Sequence, residues 1–241
     1  MINVVRQNQI PASLNTAEIQ DYNQKAILYL KDPVCNSKPP IKAPYRNSDV
    51  LEAFDRDFYS KCYLTEQKYV NSWIMPIDHF LPQNERPDLV YDWNNLFPIS
   101  YYSNLIKPKK TPNGGLLDPS NTEDDVETEI IYSLPFNDNP QFEPLNPDNI
   151  KALNTCKLLN RIHNGHDEST QKSTADLRHT IHKRREEILK KIIEWRKHPE
   201  GSAEKHQAKG ELKVFLSRES SFTMLIRSVP AVRQLPLDFL D

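Results

Sequence analysis

Pro76-Ile77-Asp78-His79-Phe80-Leu81-Pro82 sets a carboxylate beside an imidazole at the end of an apolar run, and the proline that follows stiffens the exit. Sixteen residues beyond His79 stands Asn95, within Asp92-Trp93-Asn94-Asn95-Leu96; nine beyond that stands Asn104, with Lys107 three further along. Each element has a plain structural use by itself. Asp78-His79 reads as a turn with a partly buried histidine bonded to a backbone carbonyl, Asn94 and Asn95 as loop residues bonded to local backbone, and Asn104 as a helix cap. Together, in this order, they point to a shared site.

Working outward, residues 61–107 carry short apolar runs broken by proline and asparagine, and Tyr69, Val70, Trp73, Ile74 and Met75 read as a strand running into Pro76. Before this stretch, Ile19, Tyr22, Ala26 and Tyr29 share one face of a helix over residues 16–30, capped by Thr16 with Glu18 in its first turn. Val50, Leu51, Phe54 and Phe58 form the buried stripe of a second helix over 49–60. After it, turn signals surround a strand over 129–134. Beyond Asn149 the pattern turns helical. Ile150, Leu153, Leu158 and Ile162 mark one helix, and Leu177, Ile181, Ile188, Ile192 and Trp195 mark a long one over 175–198. A last pair is expected over 203–218 and 221–227. The expected fold is α+β, mostly helical, in one compact unit: a helical region over 1–60, a central segment over 61–110, and a C-terminal loop and helical region over 111–241 packed on it.

The chain of 241 residues is 37% hydrophobic, enough for one core. Nineteen prolines against five glycines predict many rigid connections. No apolar run reaches membrane-spanning length and no secretory leader pattern opens the sequence, so a cytoplasmic protein without a membrane partner is expected. Cys35, Cys62 and Cys156 are odd in number and widely spaced, which argues against a disulfide framework. The net charge of -2 lacks the basic signature of many nucleic-acid binders, but basic clusters at 107–110 and 183–191 leave room for a local basic groove.

Asp78-His79, then Asn95-Leu96, then Asn104-x-x-Lys107 resembles the HNH endonuclease motif in its variant with asparagine as the third letter. The likeness runs further. Ile10-Pro11-Ala12-Ser13-Leu14, residues 91–96, Leu158-Leu159-Asn160 and Ser221-Phe222-Thr223-Met224 with Arg227 are similar to the HNH subunits of bacterial Septu-type and retron-associated anti-phage systems, which act beside a partner ATPase. The match is tight over residues 62–107 and loose elsewhere.

The resemblance implies a ββα-metal finger. Asp78 and Asn104 would bind one divalent metal, for which oxygen ligands suit Mg²⁺ or Mn²⁺ better than zinc. His79 would be the general base, Asn95 would hold the loop and His79 in position, and Lys107, with Lys109 and Lys110, would grip phosphate. The implied substrate is DNA or RNA. Many relatives also bind a structural zinc through two Cys-x-x-Cys pairs. Here those positions hold Cys62, Thr65, Ser100 and Ser103, so no structural zinc is expected, and Tyr63, Phe97, Tyr101 and Tyr102 are expected to pack in its place.

Other residues have blander uses. Arg178, Lys183, Arg184 and Arg185 read as a solvated helix face or as an extension of the phosphate path, and the acidic run 123–129 as a solvated loop. Asp118 reads as a turn carboxylate, and His163, His166, His179, His182, His198 and His206 as exposed. The long helix is ordinary core, or a contact for a homo-oligomer or the ATPase. Two rival functions stand beside the nuclease effector: a non-cleaving nucleic-acid-binding or scaffolding subunit, and a free-standing restriction or homing enzyme, for which no DNA-reading domain is visible.

Overall fold

The computed structural model describes residues 1–7, 9–136 and 139–240. It is α+β, about 48% helical, and among the described residues its strands make only two small antiparallel pairs. α1 (Ala17–Lys31) starts where Thr16 accepts from the Ile19 amide, and it buries Ile19, Tyr22 and Ala26. α2 (Ser48–Asp57) buries Val50, Leu51 and Phe54, and stops short of the expected end because Tyr59 and Ser60 take positive φ and turn the chain back.

The strand expected over residues 69–75 does not form. Ser72–Ile74 is a single 3₁₀ turn, and Val70, Trp73 and Ile74 are exposed. The strand comes after Pro76, as β1 (Ile77–His79), paired antiparallel with β2 (Leu96–Pro98), so that Asp78 faces Phe97 and His79 faces Leu96 across the ladder. α3 (Tyr101–Ile106) follows at once, with Ser100 as its cap.

β3 (Ile130–Ser133) and β4 (Gln141–Pro144) form the second pair. It lies on α4 (Ile150–Asn164), where Asn160 bonds both the amide and the carbonyl of Phe142. Then come α5 (Glu168–Ser173), the long α6 (Ala175–Lys197), α7 (Ala203–Leu216), α8 (Thr223–Arg227) and α9 (Pro230–Arg233). Ile181, Ile188 and Ile192 of α6 are buried, as the heptad-like spacing predicts. No helix among the described residues is long and apolar enough to cross a membrane.

The two ends of the chain converge on the middle. Phe222, with φ +57, donates its amide to the Glu66 carbonyl, and the Lys61 ammonium bonds the carbonyls of Arg218 and Ser220. Arg6 lies over the rings of Phe58, Trp93 and Phe97 and donates to the Leu96 carbonyl, behind β2. Burial lowers its guanidinium to about 10. The buried apolar side chains form one continuous cluster that includes both β pairs.

Three expectations are corrected. The acidic run is not a solvated loop: Asp124 is buried against Lys151, Asp125 takes the Asn3 side chain, and Glu127 pairs with Arg218. His163 is buried, with Nδ1 bonded to the Leu159 carbonyl. Of the basic residues on α6, Arg178 bonds the His163 and Gln171 carbonyls, Arg184 stacks on Phe215, and Arg185 is buried on the carbonyls of Pro135 and Phe136, which leaves Lys183 exposed.

Candidate functional site

β1 ends in Asp78 and His79, and α3 begins six residues after Asn95; a sharp return through β2 therefore brings helix residues onto the strand end. Asp78 is buried, and its Oδ2 accepts from the Tyr63 hydroxyl at 2.8 Å and from the Lys107 ammonium at 2.6 Å. Burial first, and then the Asp78 carboxylate, hold the Tyr63 phenol well above its usual range, so it remains a donor. Oδ1 of Asp78 has no hydrogen-bond partner among the described residues and keeps contact with an open cleft of about 270 Å³.

His79 is also buried and lines the same cleft. Its Nε2 lies 2.9 Å from the Val90 carbonyl. A carbonyl only accepts, so Nε2 carries the ring proton and Nδ1 presents a lone pair. The Gln83 amide nitrogen lies 3.0 Å from Nδ1 and 3.3 Å from Nε2, nearly equidistant, which sets it over the ring face rather than along the Nδ1 lone pair. Desolvation pushes the imidazole below its ordinary range, against the raising pull of the Val90 carbonyl and Asp78, so the ring is neutral near pH 7. Tyr45 stands edge-on to it, ring centres 4.9 Å apart.

Asn95 is buried behind the cleft. Its Oδ1 accepts from the Leu81 amide at 2.7 Å, and Nδ2 donates to the carbonyls of Leu81 and Leu89, both at 3.1 Å. It thus ties both arms of the loop that connects β1 to β2, and Val90, which orients His79, is the residue after Leu89. Asn104, half-buried on α3, lines the cleft with a side chain that has no partner among the described residues.

Lys107 stands differently from what the phosphate-binding expectation requires. It is buried, and its three donors go to Asp78 Oδ2, the His79 carbonyl at 2.8 Å and the Phe80 carbonyl at 3.0 Å. No donor is left for a phosphate in this arrangement. Burial lowers its ammonium, against the raising effect of Asp78. Lys109 lines the cleft and is exposed, and Lys38 bonds Gln83 and Asn84 at the rim. The cleft's charged lining is therefore one carboxylate and two lysines.

Three of the four positions compared above with zinc-binding cysteines also meet. Ser100 Oγ donates to Ser103 Oγ at 2.7 Å, Cys62 Sγ lies 4.0 Å from Ser103 Oγ, and Thr65 is buried. The two serines and Cys62 contact one another, whereas the Thr65 hydroxyl accepts from the Gln67 amide. Tyr63 and Phe97 pack beside them, ring centres 4.8 Å apart, whereas Tyr101 is exposed and Tyr102 reaches across to the Thr170 carbonyl. Asp118 closes a turn on Ser120.

So Asp78, His79, Asn104 and Lys107 reach one cleft, and Asn95 braces it from behind. Sequence reading missed Tyr45 and Gln83, and gave Tyr63 a packing role but not its bond to Asp78. The two tyrosines contact the site from distant segments and leave no local pattern. Gln83, four residues past His79, repeats a helical spacing, but within a loop, where that spacing carries no signal. Compared with protein-family models, curated proteins and solved structures, the chain finds no match.

Proposed function

We propose that this chain is a metal-dependent HNH-type endonuclease that hydrolyses nucleic-acid phosphodiesters. One observation carries the reading: Asp78 Oδ1, His79 and the unpartnered Asn104 amide converge on one open cleft, built in the order strand, strand, helix and flanked by an exposed lysine. A structural histidine also bonds a carbonyl as His79 bonds Val90. It has no need of a carboxylate oxygen and an amide left free beside it.

Asp78 and Asn104, oxygen donors that line the same cleft, would hold one hard divalent cation, Mg²⁺ or Mn²⁺. When bound, the ion neutralises charge on the scissile phosphate. The chain supplies the rest. His79, its tautomer set by Val90, accepts at Nδ1 the proton of the attacking water. The water oxygen bonds to phosphorus, the bond from phosphorus to O3′ breaks, and the departing O3′ takes a proton from solvent. Tyr63 and Lys107 fix the Asp78 carboxylate through Oδ2, and Asn95 fixes the loop that orients His79. Lys109 offers the exposed positive charge for a neighbouring phosphate.

The similarity to Septu-type and retron-associated subunits supports an effector role in anti-phage defence beside an ATPase; this part rests on resemblance alone. One observation favours the non-cleaving subunit instead. Lys107 already balances the Asp78 charge, which weakens the site for a cation.

Cleavage of plasmid DNA and of total tRNA with Mg²⁺ or Mn²⁺, with and without a candidate partner ATPase, decides between them. A metal-dependent activity that falls about 10²-fold or more in His79→Ala supports the nuclease. Absence of any metal-dependent cleavage on either substrate supports the binding subunit.

A further inference from the structure

The cleft offers a cation one negative charge, and that charge is already balanced. Among the residues that line it, Asp78 is the single carboxylate, Asn104 is neutral, and Lys109 adds positive charge at the rim. Lys107 Nζ lies 2.6 Å from Asp78 Oδ2, and both side chains are more than nine-tenths buried, so salt screens the pair little. The ammonium cannot drift off, because its other two hydrogens are held by the carbonyls of His79 and Phe80. With the Tyr63 hydroxyl also on Oδ2, Oδ1 is the carboxylate oxygen left without a hydrogen-bond partner. A cation that reaches Asp78 therefore meets a neutralised carboxylate with a fixed ammonium on its far oxygen. The number of ligand charges is what tunes the affinity of an oxygen site for a hard cation.

We propose that Lys107 is a positioning residue that also serves as a resident counter-cation: held on Oδ2, it keeps the divalent site of Asp78 and Asn104 at low affinity in the isolated chain. The proposal rests on the nuclease reading, in which those two residues hold the metal. It follows that removing the ammonium tightens Mn²⁺ binding by about tenfold or more, even though the same change weakens the fold. A purely structural lysine predicts the opposite sign, since loosening Asp78 weakens any site built on it.

The test compares the full-length wild type with Lys107→Met, Lys107→Gln, Lys107→Arg and Asp78→Asn. Glutamine keeps a donor for the two carbonyls without the charge, and arginine keeps the charge. Two readouts need no activity: Mn²⁺ binding, from the electron paramagnetic resonance signal of the free ion, and the thermal midpoint with and without Mn²⁺. The expected result is tighter binding by about tenfold or more in the methionine and glutamine variants, a larger Mn²⁺-induced rise of their midpoints than of the wild type's, and arginine near the wild type. Binding that appears only in the two uncharged variants supports the proposal equally. Equal or weaker binding in both overturns it, and so does tightening in arginine to match methionine, since charge would then not be the cause. Should both uncharged variants fail to fold even in excess Mn²⁺, the proposal falls as well, because the ion would have replaced the missing charge. If no chain binds Mn²⁺, the metal site and the nuclease reading fail together; wild-type binding that Asp78→Asn abolishes and the uncharged variants leave unimproved sinks the counter-cation alone.

Discussion

Lys107 Nζ sits 2.6 Å from Asp78 Oδ2 and gives its other two hydrogens to the carbonyls of His79 and Phe80, so one lysine just past α3 fastens both members of the Asp-His pair. Removing it strands a buried carboxylate on the Tyr63 hydroxyl alone and leaves two carbonyls unpaired. Lys107→Met is therefore expected to cost about 3 kcal/mol or more, the usual penalty for breaking one side of a buried pair. Urea unfolding measures it. Asp78→Asn in the Lys107→Met background should cost clearly less than in the wild type, because the charge left unpaired is gone. A loss under about 1 kcal/mol for Lys107→Met would show that the pair is not the fastening described.

Asn95 makes three hydrogen bonds with one carboxamide, one accepted and two donated. Asn95→Asp keeps the shape and the acceptor but cannot donate to Leu81 and Leu89, and it buries a charge facing two carbonyls. Both Asn95→Ala and Asn95→Asp are expected to destabilise by about 2 kcal/mol or more, with the aspartate the worse of the two. If the loop orients His79 through Val90, kcat falls in both while KM for the nucleic acid moves little. A thermal midpoint for Asn95→Asp equal to the wild type's would remove the bracing role.

How far the sequence told the site apart from its surroundings follows from the range of each interaction. Asp78, His79, Asn95 and Asn104 were legible because they lie within one short stretch whose order and spacing can be read directly. The helices were legible from periodicity, since burial of Ile19, Tyr22 and Ala26 or of Ile181, Ile188 and Ile192 follows from a repeat within each segment. Lys107 was read as a phosphate ligand because sequence shows a charge but not its burial, and its burial comes from packing on β1. The strand expected over 69–75 failed because β-prone residues there are exposed; the ladder forms where β2 supplies a partner, just beyond Pro76. The acidic run and the arginines of α6 were misread for one reason: their partners, Asn3, Lys151, Pro135 and Phe136, come from remote parts of the chain.

His163 ties stability to pH. Buried between α4 and the β3–β4 pair, against Phe142, it donates from Nδ1 to the Leu159 carbonyl while Nε2 has no partner, and desolvation lowers the imidazole to about 4. In the unfolded chain the same ring titrates near its ordinary value of 6.5. Between these values the unfolded state binds more protons, so stability rises with pH there; the contribution is whole above about 6.5 and is lost as the pH falls towards 4. A shift of that size amounts to about 3 kcal/mol across the window. His79 and His182, also lowered by burial, add slope of the same sign, so the wild-type profile alone does not isolate His163. His163→Phe does, since the ring still packs on Phe142 and no longer titrates. Urea midpoints for the two proteins between pH 4 and 7.5 should diverge below pH 6.5, with the variant losing less stability on acidification; parallel curves would mean that His163 is not held neutral in the fold.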